Sequence, residues 1–204
     1  WLVSNEKFFE PLSDVVSSLK LRGSYGLVGS DETGPSNAPH FLYIDQVQVT
    51  GNGRPGFTTG ENLNVSYYGP VVQQWAVQNG GWERVKKLDV GFDMELFREL
   101  SITFDFFYDK RYNILLHREA WPQSLGFHEA KPWSNKGKVD NWGYEVSTNW
   151  RKQFTKDLTV DFRGTFTYTQ NKYIDVDEPI YPYVWQTATG KPLNRRNGYI
   201  AEGL

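Results

Sequence analysis

Five aromatic residues in stretches without regular alternation, Trp121, Trp133, Tyr181, Tyr183 and Trp185, are the side chains best suited to hold a ligand. They are expected to be exposed on long loops. Sugar rings present C–H faces that stack on aromatic rings, and indole adds one N–H donor to a large apolar surface. The competing reading is that these rings pack the loops onto one another. Asp175, Asp177 and Glu178 form the densest carboxylate group. Calcium takes such oxygen sets, but the ligand run is short and the EF-hand glycine is missing, so a solvated acidic loop is expected. His40, His117 and His128 stand far apart and give no zinc spacing. Gly23-Ser24-Tyr25-Gly26 lacks the spacing and the following helix of a dinucleotide fingerprint. Ser, His and acidic residues occur, yet nothing in their order assembles a triad. No catalytic residue, metal site or cofactor is assigned.

The elements that position these residues read as strands. In Leu88–Lys110, Leu88, Val90, Phe92, Met94 and Leu96 alternate with Asp89, Gly91, Asp93 and Glu95. After a short charged link at 97–100, Ile102, Phe104, Phe106 and Tyr108 alternate with Thr103, Asp105 and Asp109. A period of two on both arms of a short link predicts a hairpin with one apolar face and one acidic face. Ser18–Val28 reads as an earlier strand, with a turn of helix expected over Ser13–Ser18. A second hairpin has arms at 142–151 and 158–169, joined at Lys152–Asp157. The connections at 29–81, 112–140 and 171 onward are long and lack sustained alternation. Within 29–81 only Phe41–Thr50 alternates, and Gly51-Asn52-Gly53 and Pro55-Gly56 signal turns.

The chain has 204 residues, net charge −2 and no Cys. That charge gives no support to a nucleic-acid partner held through phosphates, and the absent thiols exclude disulfides and thiolate chemistry. Mean hydropathy is −0.58, and no apolar run is long enough for a transmembrane helix. Strands can still cross a bilayer, because their alternation dilutes hydropathy. The 13 Phe, 12 Tyr and 8 Trp beside 19 Gly point to an all-β chain. Each arm runs roughly ten residues, near the length a tilted strand needs to span a bilayer. Short turns alternate with long connections, and aromatic residues cluster near one strand end: Tyr25, Tyr108, Trp142, Tyr144 and Tyr168. These features together favour a segment of an antiparallel transmembrane β-barrel, about five strands with long extracellular loops.

Five stretches carry a family resemblance: SSLKLRGSYGLVGSD (17–31), WERVKKLDVGFDMELF (82–97), ITFDFFYDKRYNILL (102–116), NKGKVDNWGYEVSTNWR (135–151) and NGYIAEGL (197–204). In this order they resemble the SusC/RagA group of TonB-dependent outer-membrane transporters of Bacteroidetes. Two details depart from the family pattern: Gly80-Gly81 precede the Trp82-Glu83 pair, and Trp142 stands where a basic residue is frequent. The resemblance implies a barrel of 22 strands around a plug, with residues 1–204 as a partial barrel domain. Plug, N-terminal region and closing strands are expected outside this chain. It further implies a nutrient importer for oligosaccharides or peptides in the Gram-negative outer membrane, without enzymatic activity. Its partners would be outer-membrane lipid, a SusD-like surface lipoprotein and the TonB complex.

Two other readings compete. A soluble glycan-binding β-sandwich would make Phe92, Phe104, Val146 and Phe162 core residues, whereas a barrel turns them toward lipid. A glycoside hydrolase would use two of the many carboxylates as acid and base.

Overall fold

The structure, a computed structural model, describes residues 1–31, 41–49, 55–77, 80–122, 131–196 and 198. His40, His128 and nearly all of the 197–204 stretch lie outside the described residues. Along the chain run β1 (Val16–Ser30), β2 (Gln46–Gln48), β3 (Pro55–Thr59), β4 (Val65–Tyr68), β5 (Val71–Gln74), β6 (Glu83–Leu96), β7 (Leu100–His117), β8 (Trp133–Gln153) and β9 (Thr159–Asp175). The long strands form one sheet in the order β1-β6-β7-β8-β9, and each neighbouring pair is antiparallel. The all-β expectation with about five long strands holds. Two small pairs, β2 with β5 and β3 with β4, occupy the 41–77 stretch. Pro55-Gly56, expected as a turn, begins β3 instead.

Register converts the alternation of single strands into rows across the sheet. One face carries, row by row, Leu19–Met94–Ile102–Thr148–Gly164, Leu21–Phe92–Phe104–Val146–Phe166, Gly23–Val90–Phe106–Tyr144–Tyr168 and Tyr25–Leu88–Tyr108–Trp142–Gln170. Side chains directly opposite on neighbouring strands touch, so the aromatics stack along the rows. Phe92 lies 5.5 Å from Phe104, and Tyr144 lies 5.4 Å from Tyr168. The other face carries Lys20–Asp93–Thr103–Ser147–Thr165 and Arg22–Gly91–Asp105–Glu145–Thr167. None of the side chains in these four apolar rows is buried. Leu21, Val90, Phe162 and Phe166 stay 41–59% exposed. A sandwich would have buried that face under a second sheet.

Several boundaries differ from the sequence reading. The 112–117 and 133–141 segments are strand, not loop, so β7 and β8 continue well past Tyr108 and Trp142. Those aromatics therefore sit in mid-strand rather than at strand ends. Ser13–Val15 is a turn leading directly into β1, and the helical residues lie earlier, as 3₁₀ segments at Val3–Asn5 and Lys7–Leu12. Val15 is drawn toward the sheet because its carbonyl accepts from the Phe97 N–H at 2.9 Å.

The β6–β7 link is a tight turn in which Phe97 and Arg98 have φ of 55° and 59°. Two consecutive left-handed residues match the right-handed twist of a hairpin, a task that Asn-Gly usually performs. Here the neighbouring strand edges hold the turn. Phe97 N–H donates to Val15, Arg98 N–H donates to the Ser17 hydroxyl at 3.0 Å, and the Glu99 carbonyl accepts from Arg151.

Candidate functional site

On the polar face, cross-strand pairing brings opposite charges together. Arg22 Nε lies 3.1 Å from Asp93 Oδ2, while its Nη2 donates to Asp105 Oδ2 at 3.0 Å. Asp105 stands two strands away, and the guanidinium reaches it across Gly91, which lies between them in the row. A Cβ on Gly91 would fall 2.1 Å from Asp105 Oδ1 and 2.5 Å from the Phe104 carbonyl. Only glycine leaves room for this bridge. Thr103 Oγ1 donates to Asp93, and Arg151 pairs with Asp161 at 2.8 Å. These groups form a polar, ion-paired wall.

Farther from the tight turns, the same face opens into a cleft of about 720 Å³. Its lining includes Glu83, Arg111, Asn141, Asn171, Tyr173 and Leu193. Arg111 pairs with Glu83 at 3.2 Å. The 190–193 segment closes one side by running along β9. Gly190 N–H donates to the Tyr173 carbonyl at 2.7 Å, and Leu193 N–H donates to Asn171 Oδ1 at 2.8 Å. The cleft thus offers amide, guanidinium, carboxylate and phenol groups beside apolar Ile114, Leu116 and Val139. Such a mixed lining suits a polar ligand with C–H faces.

None of the five aromatic candidates lines this cleft. Trp133 is 7% exposed, against the expectation of an open loop position. Its indole lies tilted against His117, ring centres 3.7 Å apart, and packs with Leu115, Leu42 and Val77 in a small core that ties Leu42 and Val77 to the sheet. Trp121 is half-buried, with the Arg118 guanidinium 5.3 Å above its ring. Tyr181, Tyr183 and Trp185 are exposed, and the last two stack with ring centres 5.9 Å apart. The site is therefore dispersed. Sequence reasoning missed Arg111, Asn141, Asn171 and Tyr173, because it ended the strands at the aromatic row. These four residues keep the inward parity of their strands, but both faces turn polar beyond that row, so the alternation no longer marks them.

The acidic cluster is a loop fastening. Asp177 is fixed by Arg118 and by Lys136 at 3.2 Å, and Asp175 Oδ1 accepts the Asp177 N–H at 3.1 Å. Glu178 accepts the Ala188 and Thr189 N–H groups at 2.7 and 2.8 Å. Burial pushes Glu178 up, but these bonds outweigh it and hold the carboxyl below its ordinary value. Among the described residues no set of His, Asp and Glu could hold a metal ion, and no helix is long and apolar enough to cross a membrane. The latter says nothing of strands.

A sheet with one aromatic, uncovered face and one ion-paired polar face is the wall of a membrane β-barrel. The chain belongs to the TonB dependent receptor-like, beta-barrel family, whose sequence model matches residues 15–201. It is 28% identical to TonB-dependent receptor P3 of Formosa agariphila over 207 residues, covering all of this chain and 19% of that protein. It is 26% identical to TonB-dependent receptor SusC of Bacteroides thetaiotaomicron over 173 residues, 84% of this chain and 16% of SusC. The RagAB peptide transporter superposes with a TM-score of 0.64 at 20% identity, covering 94% of this chain and 20% of that chain. The chain thus spans 15–19% of the length of the curated relatives it matches.

Proposed function

We propose that this chain is part of an outer-membrane importer of the SusC type, which takes up oligosaccharides or peptides through TonB with a SusD-like surface lipoprotein. Residues 1–204 are one stretch of its barrel domain; plug and closing strands belong to the rest of the protein. The observation that carries this reading is the register. From the Leu96–Leu100 row to the Leu88–Tyr108 row each strand runs nine residues, both ends counted, which matches the ~9–11 residues of a transmembrane strand. The outward positions between them are apolar almost throughout. Closing the ring pairs every backbone group of the wall, as a bilayer demands.

In this reading the chain binds and guides, and it has no catalytic role. The ion-paired polar face lines a watery lumen, where charges matched across strands keep the wall from holding a charged cargo. The cleft at Arg111, Asn141, Asn171 and Tyr173 forms one side of the mouth. Trp121, Tyr181, Tyr183 and Trp185 on the loops are the first aromatic contacts for incoming ligand, and the stacked Tyr183–Trp185 pair offers the widest such surface. Trp133 acts by holding the loops in place.

The test is uptake of labelled oligosaccharides and peptides by cells carrying or lacking the full-length gene, with and without TonB. Import should need both. Equal uptake in their absence overturns the transport reading. Within the intact transporter, Y183A/W185A should reduce uptake of the accepted cargo; unchanged uptake removes the pair from the ligand path.

A further inference from the structure

The apolar face ends abruptly. One outward row past Tyr25–Leu88–Tyr108–Trp142–Gln170, the sheet presents Leu27–Lys86–Lys110–Asp140–Lys172, followed by Arg84 and Tyr112. Two contacts confirm that these side chains share the outer face. Tyr108 donates its hydroxyl to Asp140 Oδ2 at 2.8 Å, and Lys86 Nζ lies 5.8 Å over the Tyr112 ring. Arg84, Lys86, Lys110 and Lys172 are exposed. No carboxylate among the described residues pairs with any of them.

The polar face at the same height behaves differently. There Lys87 stands opposite Asp109, and Arg111 pairs with Glu83. On the lumen face at this height Arg111 is ion-paired to Glu83, whereas among the described residues none of the four outward cations makes an ion pair. Lys86 and Lys110 are directly opposite each other, an arrangement that is destabilising without an anion between them. Asp140 is the one carboxylate in the row, set against three lysines.

We infer that this outward basic row is a docking surface for the phosphate groups of outer-leaflet lipid. The inference rests on the apolar face being lipid-facing. Tyr and Trp rings mark the headgroup level of a bilayer. The next outward row lies two residues higher, roughly 7 Å along the strand. That puts the ammonium groups among lipid phosphates. Neighbouring strands are about 4.8 Å apart, so one phosphate can bridge Lys86 and Lys110 while Lys172 takes another. Charge complementarity and continuity with the apolar band select lipid over a soluble anion.

The full-length protein, reconstituted in phosphatidylcholine vesicles, can be tested with spin-labelled phosphatidic acid and spin-labelled phosphatidylcholine. The native protein should favour phosphatidic acid in its motionally restricted lipid shell by several-fold, up to about tenfold. K86Q/K110Q/K172Q should lose most of that preference, whereas K87Q, on the polar face, should keep it. If the triple variant does not assemble, K110Q alone should halve the preference. Equal selectivity in native protein and variants overturns the inference, as does an equal loss in K87Q. Selective displacement by inorganic phosphate, at matched ionic strength, also overturns it in favour of a soluble-anion site. Absence of any restricted lipid, whatever its headgroup, overturns the transmembrane reading itself.

Discussion

The same five strands carry two different walls, divided at the Tyr25–Leu88–Tyr108–Trp142–Gln170 row. On the tight-turn side, outward positions are aromatic and aliphatic, and the polar face is knitted by Arg22, Asp93 and Asp105. On the loop side, outward positions turn cationic while the polar face opens into a cleft. The strands do not change direction or pairing at this boundary. What changes is the chemistry of the outward residues and the shape of the polar face. In the transmembrane reading, strand ends therefore do not mark the edge of the membrane; the register row at which apolar gives way to charge does.

The largest effect should come from placing a charge in the lower wall. Phe104 sits in the central row of the apolar band, opposite Phe92 and Val146. Phe104→Lys should cost about 2–4 kcal/mol of barrel stability, while Leu27→Lys, in the already cationic row, should cost about 0–1. Denaturant unfolding of the full-length barrel in lipid vesicles gives both values. Equal losses at the two sites would erase the boundary.

The upper wall should fail by a different route, through its loop fastenings. Arg118 and Lys136 both hold Asp177, whose side chain is only 7% exposed. Arg118→Gln leaves that carboxylate with one partner and should cost about 2 kcal/mol of loop docking, below the full penalty because Lys136 remains. Limited proteolysis should then cut the 176–196 stretch faster while the strands below stay resistant. Undiminished resistance would mean that the clamp contributes little.

The two walls also differed in how far they could be read from sequence. Alternation over Leu88–Leu96 and Ile102–Tyr108 is strict, because one face must be apolar and the other polar over the whole band. It located this hairpin, and the same alternation over 142–151 and 158–169 located the second. Beyond Tyr108 the outward residues become Lys110 and Tyr112, so both faces turn polar and the period of two fades although the ladder continues. Asn113, at φ 58°, and the register shifts after Arg111 interrupt it further. Trp133 was misplaced for a related reason. A tryptophan beside Pro132 and Asn135 resembles an open loop residue until the pairing His117↔Trp133 brings a partner ring against it. The acidic triplet was legible as a cluster, but its partners Arg118, Lys136, Ala188 and Thr189 lie far away along the chain.

A smaller effect is expected at the turn that ends the lower wall. Left-handed backbone costs a residue with a Cβ about 1–2 kcal/mol, and Phe97 and Arg98 both adopt it. Replacing the pair by Asn-Gly should stabilise the full-length barrel by about 1 kcal/mol, since the backbone bonds to Val15 and Arg151 survive. The same unfolding assay reads this change. A loss of stability would show that the Phe97 and Arg98 side chains do more than occupy a strained turn.

The smallest effect sharpens the contrast by acid. Glu178 has its carboxyl held below the ordinary value by bonds from Ala188 and Thr189, which bind the charged form. A depressed carboxylate contributes stability that is fully present above its unfolded value and lost as pH falls through the folded one. The 184–191 stretch should accordingly exchange its amide hydrogens faster as pH drops below the usual carboxylate range, after correction for intrinsic exchange. Strand amides in β6 and β7 are held by backbone partners alone and should keep their protection over that first step. Glu178→Gln should abolish the pH step, because an amide does not titrate, although its single oxygen keeps only one of the two N–H bonds that the carboxylate oxygens accept. A step that persists in Glu178→Gln would move the acid sensitivity to another carboxylate of the loop.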